Sequence, residues 1–166
     1  MEFPSSKNAK APLLNWDVFS TRYNALLGEA IKYHETVLAI KNIAKANKWS
    51  KQQLKEAIQN ASKYVIVITD SLQNISFTCH NFEGMTGYNF EEAKGRNPKF
   101  LQGPGTNRGN KSLIKKRLAN NETAEVILEN YRKNGEPYLC NVIIKPIISI
   151  NKKLVNYIAY EQEIAA

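Results

Sequence analysis

A nucleophile with its base, a metal-ligand set and a phosphate loop are the first chemistry to seek in these 166 residues. The spacing supplies none of them. There is no G-x-S-x-G, no H-E-x-x-H, no C-x-x-C and no phosphate-loop motif. The two histidines, His34 and His80, cannot be tied to a nucleophile; His34 falls in a helical segment, where a structural or exposed role is the simpler one. Two cysteines, Cys79 and Cys140, are too few for a disulfide scaffold. They read as free thiols of a reducing cytosol, or as one optional bridge. Cys79-His80 alone is not a metal-ligand set, so no metal site is expected. Binding rather than turnover is therefore expected. The informative stretch is Gly95-Arg96-Asn97-Pro98-Lys99-Phe100-Leu101-Gln102-Gly103-Pro104-Gly105-Thr106. The one dense basic cluster follows it, at Lys111, Lys115, Lys116 and Arg117.

These residues need elements to position them. Hydrophobic content of 43% and charged content of 23% are ordinary globular values, which excludes wholesale disorder and a collagen-like fibre. The net charge of +8 reads as a Lys-rich solvated surface rather than a nucleic-acid interface. No apolar run approaches the roughly 20 residues of a membrane helix. Met1 to Leu14 lacks the apolar core of a secretory signal, so a cytoplasmic protein without membrane contact is expected.

Residues 1–14 read as a flexible leader with Pro4 and Pro12. Residues 15–61 read as a helical extension. Trp16, Phe19, Tyr23, Leu26, Ala30, Tyr33, Val37 and Ile40 recur at three- and four-residue spacings, one stripe of a helix that Gly28 can break. Ser50 with Gln53 is a capping box that opens a second helix, about 50–61. From residue 62 to 166 the pattern becomes strand, strand, short helices and three strands. Tyr64 to Thr69 and Ile75 to Cys79 form the first pair. Asn89 with Glu92 is another cap, and Lys111 to Leu118 a short helix. Thr123 to Arg132, Glu136 to Ile150 and Leu154 to Ile164 are the last strands, with Asn134-Gly135 as a type I′ hairpin signal. The fold class is α+β with an antiparallel sheet. Period-two alternation groups Val65, Val67 and Thr69 on one face; likewise Val126, Leu128 and Asn130; Tyr138, Cys140, Val142 and Ile144; and Tyr157, Ala159 and Glu161.

The stretch Gly95 to Thr106 closely resembles the signature of light-oxygen-voltage (LOV) domains, a flavin-binding branch of the PAS family. Val67-Ile68-Thr69-Asp70, Phe82 to Tyr88 and Asn130 to Gly135 match the same family in order and spacing. The resemblance covers about residues 62–164 without a gap, and the first sixty residues do not share it. It implies a PAS fold: a five-stranded antiparallel sheet with short helices on one face, enclosing flavin mononucleotide (FMN), here preceded by N-terminal helices. Position by position, Asn97 and Gln102 match residues on the ribityl chain and phosphate. Lys99 and Lys115 stand where the family has phosphate-binding arginines, keeping the charge and losing the bidentate fork. Asn130 matches an asparagine on the polar edge of the isoalloxazine. Val67, Thr69, Leu101, Val142 and Ile144 complete the expected lining.

Three departures from the family bear on mechanism. Pro98 stands where the family has its adduct-forming cysteine, so no cysteinyl adduct is expected. Cys140 replaces a second flavin-edge asparagine. Glu161 falls at the flavin-sensing glutamine in an ungapped alignment, whereas a one-residue shift puts Gln162 there. An ionised carboxylate would repel the acceptor edge of oxidised flavin, so flavin binding requires a neutral or displaced Glu161. The alternative is a pocket without flavin, in which Glu161 makes an ordinary salt bridge. Without the adduct, excited flavin can still take an electron from a nearby Tyr138, Tyr157, Tyr160 or Cys140.

The expected function is that of a stand-alone, non-enzymatic sensory protein of the signal-transduction class. It would be a flavoprotein photoreceptor or redox sensor, dimeric through its N-terminal stripe and passing its signal to an unknown partner. The alternative is a PAS module with another small ligand or none, acting as a protein-interaction adaptor. Nucleic-acid binding is not expected from the motifs.

Overall fold

A computed structural model describes residues 12–164, with side chains from residue 16. Most of the expected leader lies outside the described residues, and positions 12–14 already belong to a helix. That helix, α1 (Pro12–Ala46), starts on a proline, whose missing N–H and fixed φ suit the first turn. Gly28 does not break it. The remaining elements are α2 (Lys51–Asn60), β1 (Val65–Asp70), β2 (Ile75–Thr78), α3 (Asn81–Thr86) and α4 (Phe90–Ala93). A 3-10 turn (Pro98–Leu101), α5 (Arg108–Ala119), β3 (Ala124–Tyr131), β4 (Pro137–Ile148) and β5 (Leu154–Ile164) follow. Among the described residues no helix is long and apolar enough to cross a membrane.

The chain divides into two units, the first ending at Glu35 and the second starting at Thr36. In the first, Trp16, Phe19, Tyr23 and Leu26 are 57–69% exposed. Phe19 stacks on Tyr23 with ring centroids 6.3 Å apart, and Trp16 lies 5.9 Å from Phe19. The expected stripe is therefore present and uncovered within its own unit. Its tail behaves differently. In the second unit Ile40 and Ala44 are buried with Ile66, Ile68, Ile158 and Tyr160, on one face of the sheet.

The sheet runs β2-β1-β5-β4-β3, antiparallel throughout. Both expected capping boxes form. Ser50 Oγ accepts from Gln53 N while Gln53 Oε1 accepts from Ser50 N, and Asn89 pairs with Glu92 in the same way. The corner after α1 is stitched to the sheet. Trp49 Nε1 donates to Asn156 Oδ1 at 2.9 Å, and Asn156 Nδ2 donates to the Thr69 carbonyl at 2.8 Å. All three residues are buried, so these bonds satisfy polar groups that would otherwise be costly.

The β3–β4 turn is not the expected type I′. That type needs positive φ at both central residues, and here only Gly135 has it, at +88°. Gly135 N donates to the Arg132 carbonyl and Arg132 N to that of Glu136, each at 2.9 Å. This is a three-residue loop with glycine in the left-handed position. Asn134 instead accepts, through Oδ1, from Glu136 N.

Candidate functional site

The stretch Gly95 to Thr106 crosses the sheet from one edge strand to the other. At the β2 edge, Ile75 N donates to the Arg96 carbonyl at 2.9 Å and Gly95 N to that of Ile75 at 2.8 Å. Gly95 has φ +75°, which suits glycine. At the β3 edge, Gln102 bridges Asn130. Beyond it, Thr106 Oγ1 donates to the Glu129 carbonyl and accepts from Gly103 N. Here the glycines are needed for close approach. A Cβ on Gly103 would lie 2.3 Å from the Tyr131 ring. Tyr131 OH in turn donates to Glu129 Oε1 at 2.5 Å and accepts from Gly105 N at 3.0 Å. The Gly-Pro-Gly-Thr half of the motif thus docks the loop, and Asn97, Pro98, Lys99, Leu101 and Gln102 border the space beneath it.

Under this strap lies a hollow of about 90 Å³ that opens into a groove of about 700 Å³. Small-molecule sites span roughly 300–1,000 Å³; the groove falls within that range, whereas the hollow by itself is well below it. Eleven of the thirteen expected site residues line the hollow: Val67, Thr69, Asn97, Pro98, Lys99, Leu101, Gln102, Asn130, Val142, Ile144 and Glu161. The other two lie elsewhere. Lys115 is exposed and lines the outer groove with Lys99 and Lys111. Cys140 is fully buried among Met85, Leu128 and Tyr138, away from the hollow. Cys79 packs with the opposite face of the sheet, so neither thiol of the chain lines the hollow.

Gln73, Ile114, Leu118, Leu128, Tyr157 and Ala159 also line it and were not among the expected residues. Strand alternation already grouped Leu128 with Asn130, and Tyr157 and Ala159 with Glu161. Gln73 carried no signal; it sits in the β1–β2 turn with φ +66°. Ile114 and Leu118, four apart, present one face of α5.

The hollow is mostly apolar, and two buried polar atoms in its wall are unsatisfied. Asn130 Oδ1 and Glu161 Oε2 are buried and have no hydrogen-bond partner. Buried polar groups are normally paired, so such atoms in a cavity wall mark where a ligand's polar edge would sit. Register decides between the two candidates on β5. Glu161 pairs with Val65 and Val142 and points inward at 4% exposure, whereas Gln162 is exposed. Burial pushes the Glu161 carboxyl up to about 7. No cation pairs with it among the described residues, so the salt bridge that a flavin-free pocket called for is absent. Burial, followed by the negative field of Glu161, pushes the Tyr138 phenol and the Cys140 thiol well above their usual ranges.

The geometry is thus a five-stranded antiparallel sheet strapped over a hollow, with two buried oxygens unpartnered in its wall. The family model described as a PAS domain matches residues 62–166. A blue-light photoreceptor of Listeria innocua is 40% identical over 98 residues, 57% of this chain and 39% of that protein. A structure solved in a study of a flavin analogue and light-oxygen-voltage domain mechanism has a TM-score of 0.63 and 30% identity. It covers 68% of this chain and 85% of that one. The LOV domain of a blue-light activated histidine kinase from Erythrobacter litoralis has a TM-score of 0.59 at 27% identity, over 63% and 98% of the two chains. The chain belongs to the PAS domain family, in its light-oxygen-voltage-like branch. It spans about two fifths of the length of the Listeria photoreceptor that it matches.

Proposed function

We propose that this domain holds FMN in the hollow and groove and senses light or redox state without forming a cysteinyl adduct. The observation that carries the reading is the pair of buried, partnerless oxygens, Asn130 Oδ1 and Glu161 Oε2, in a mostly apolar wall. An apolar ligand would leave both unsatisfied, whereas a flat heteroaromatic ring with a polar edge answers both. Val67, Leu128, Val142 and Ile144 would pack on the ring. Asn130 and a neutral Glu161 would hold its polar edge, and Lys99 and Lys115 its phosphate. When bound, the flavin supplies a blue-absorbing chromophore that oxidises neighbours in its excited state. The chain's part is to exclude water and fix the ring, while burial keeps Tyr138 and Cys140 protonated farther along β4. With Pro98 on the wall and both thiols elsewhere, no cysteine would face the ring.

The signal would pass through β5 to a partner protein rather than to turnover within the domain. The exposed stripe of Trp16, Phe19, Tyr23 and Leu26 supports assembly with a second copy of the chain, because it leaves large aromatic surface in water.

The test is the absorption spectrum of the purified full chain, with added FMN. A yellow protein with a flavin band, releasing FMN on heating, is expected. A folded, colourless protein that takes up no FMN overturns the reading.

A further inference from the structure

We propose that Glu161 makes the hollow a proton-coupled site: it recognises a ligand's acceptor edge as a neutral acid, so ligand and proton bind together. The inference rests on the flavin reading above and adds a control that a glutamine at this position would lack.

The geometry carries it. Glu161 is 4% exposed, its Oε2 has no partner, and it lines the hollow. A carboxylate buried without a cation is strongly disfavoured, so the residue is held as an acid that must either donate or ionise. The groups around it offer no counter-charge. From β4 come Tyr138 and Cys140, from the end of β2 Cys79, all kept protonated by burial. From β5 comes Glu163, which is already paired with Arg132 at 2.5 Å. From the strap comes Lys99, exposed and without an ion pair to Glu161 among the described residues. From β3 comes Asn130, whose free oxygen can only accept.

Of the buried oxygens left unpartnered in the wall, Asn130 Oδ1 accepts, and the Glu161 carboxyl can donate only while protonated. A ring edge with an adjacent N–H and carbonyl satisfies both. Ionised, Glu161 would face that edge acceptor to acceptor. Burial pushes its carboxyl up to about 7, which sets this change near neutral pH.

Binding of riboflavin and FMN to the full chain, freed of flavin, is measured by fluorescence from about pH 6 to about pH 9. Riboflavin lacks the phosphate, so its affinity follows the wall without the phosphate's own titration. The affinity of both is expected to be level at the acid end. It then falls about tenfold per pH unit once Glu161 ionises in the free protein. Glu161→Gln keeps the donor at all pH and should flatten the curve to within about twofold. Infrared titration of the wild-type protein alone should show a carboxylic-acid carbonyl band that disappears over the same range; it requires no variant to fold. A flat wild-type curve, an unchanged slope in Glu161→Gln, or no carboxylic-acid band overturns the coupling while leaving flavin binding intact. No flavin binding at any pH overturns the flavin reading, and the coupling falls with it.

Discussion

Glu161 and Asn130 look into one hollow from β5 and β3, and each ends in an oxygen that no protein group satisfies. In a core made only for stability both positions would be apolar. Their presence argues that the wall is built for an occupant and that the empty protein bears the strain.

Asn130→Leu should therefore separate stability from binding. Removing a buried unsatisfied acceptor is expected to stabilise the ligand-free protein by about 1 kcal/mol. The same change should weaken FMN affinity by about tenfold or more, through loss of an acceptor in a dry site. Thermal unfolding with and without FMN reads both effects. A variant that is destabilised and still binds normally would show the asparagine to be structural.

Stability should also fall with rising pH because of Glu161. Its carboxyl titrates near 7 in the folded protein against 4.5 in an unfolded chain. Below 4.5 it is protonated in both states and adds no penalty. Between 4.5 and 7 the unfolded chain loses the proton first, so folding is progressively disfavoured, by about 1.4 kcal/mol per pH unit. Above 7 both states are ionised and the difference levels off at about 3 kcal/mol. Urea unfolding of wild type and Glu161→Gln across this range should show the two curves diverging toward neutral pH, with the glutamine variant gaining.

Gly103→Ala should cost about 1–3 kcal/mol, because the added Cβ meets a Tyr131 ring that Glu129 and Gly105 hold in place. Gly105→Ala meets the end of the Glu129 side chain, which can rotate away, and should cost less. Adding Tyr131→Ala to Gly103→Ala should give a combined loss smaller than the sum of the two single losses. Chemical denaturation of the four proteins measures the coupling.

Pro98→Cys places a thiol on the wall of the hollow. Once FMN is loaded, blue light should bleach its visible band in this variant, and the band should return in the dark; the wild-type protein should show no such cycle. A flavin-loaded variant that does not bleach would show that position 98 is not within reach of the ring.

Phe19→Lys with Tyr23→Lys should lower self-association in sedimentation experiments and leave the flavin spectrum unchanged. The substitutions alter an exposed helical face without touching the wall residues.

Element order along the chain, both capping boxes and the grouping of residues on strand faces were legible in the sequence because each follows from a local rule: alternation, cap chemistry or a motif of fixed spacing. The inward placement of Glu161 over Gln162 followed from keeping β5 without an insertion, and the register with Val65 and Val142 agrees. What escaped depended on tertiary placement. Cys140 shares a strand face with Val142, yet it lies nearer the β3–β4 turn, where Met85 and Tyr138 fill the space. Gln73 lines the hollow from a turn in which it adopts a positive φ that favours glycine, and no local pattern announces that placement. Asn134-Gly135 has the dipeptide of one turn type and the backbone of another, since the flanking hydrogen bonds set the loop at three residues.

The chain of bonds from Trp49 through Asn156 to the Thr69 carbonyl has a mechanical consequence. Thr69 borders the hollow on one side of the sheet, while Trp49 anchors the helical corner on the other. A planar amide joined at both ends behaves as a short rigid link rather than a spring. A displacement of β1 by whatever occupies the cup is delivered to the reverse surface with little slack, which gives the corner after α1 the makings of a lever.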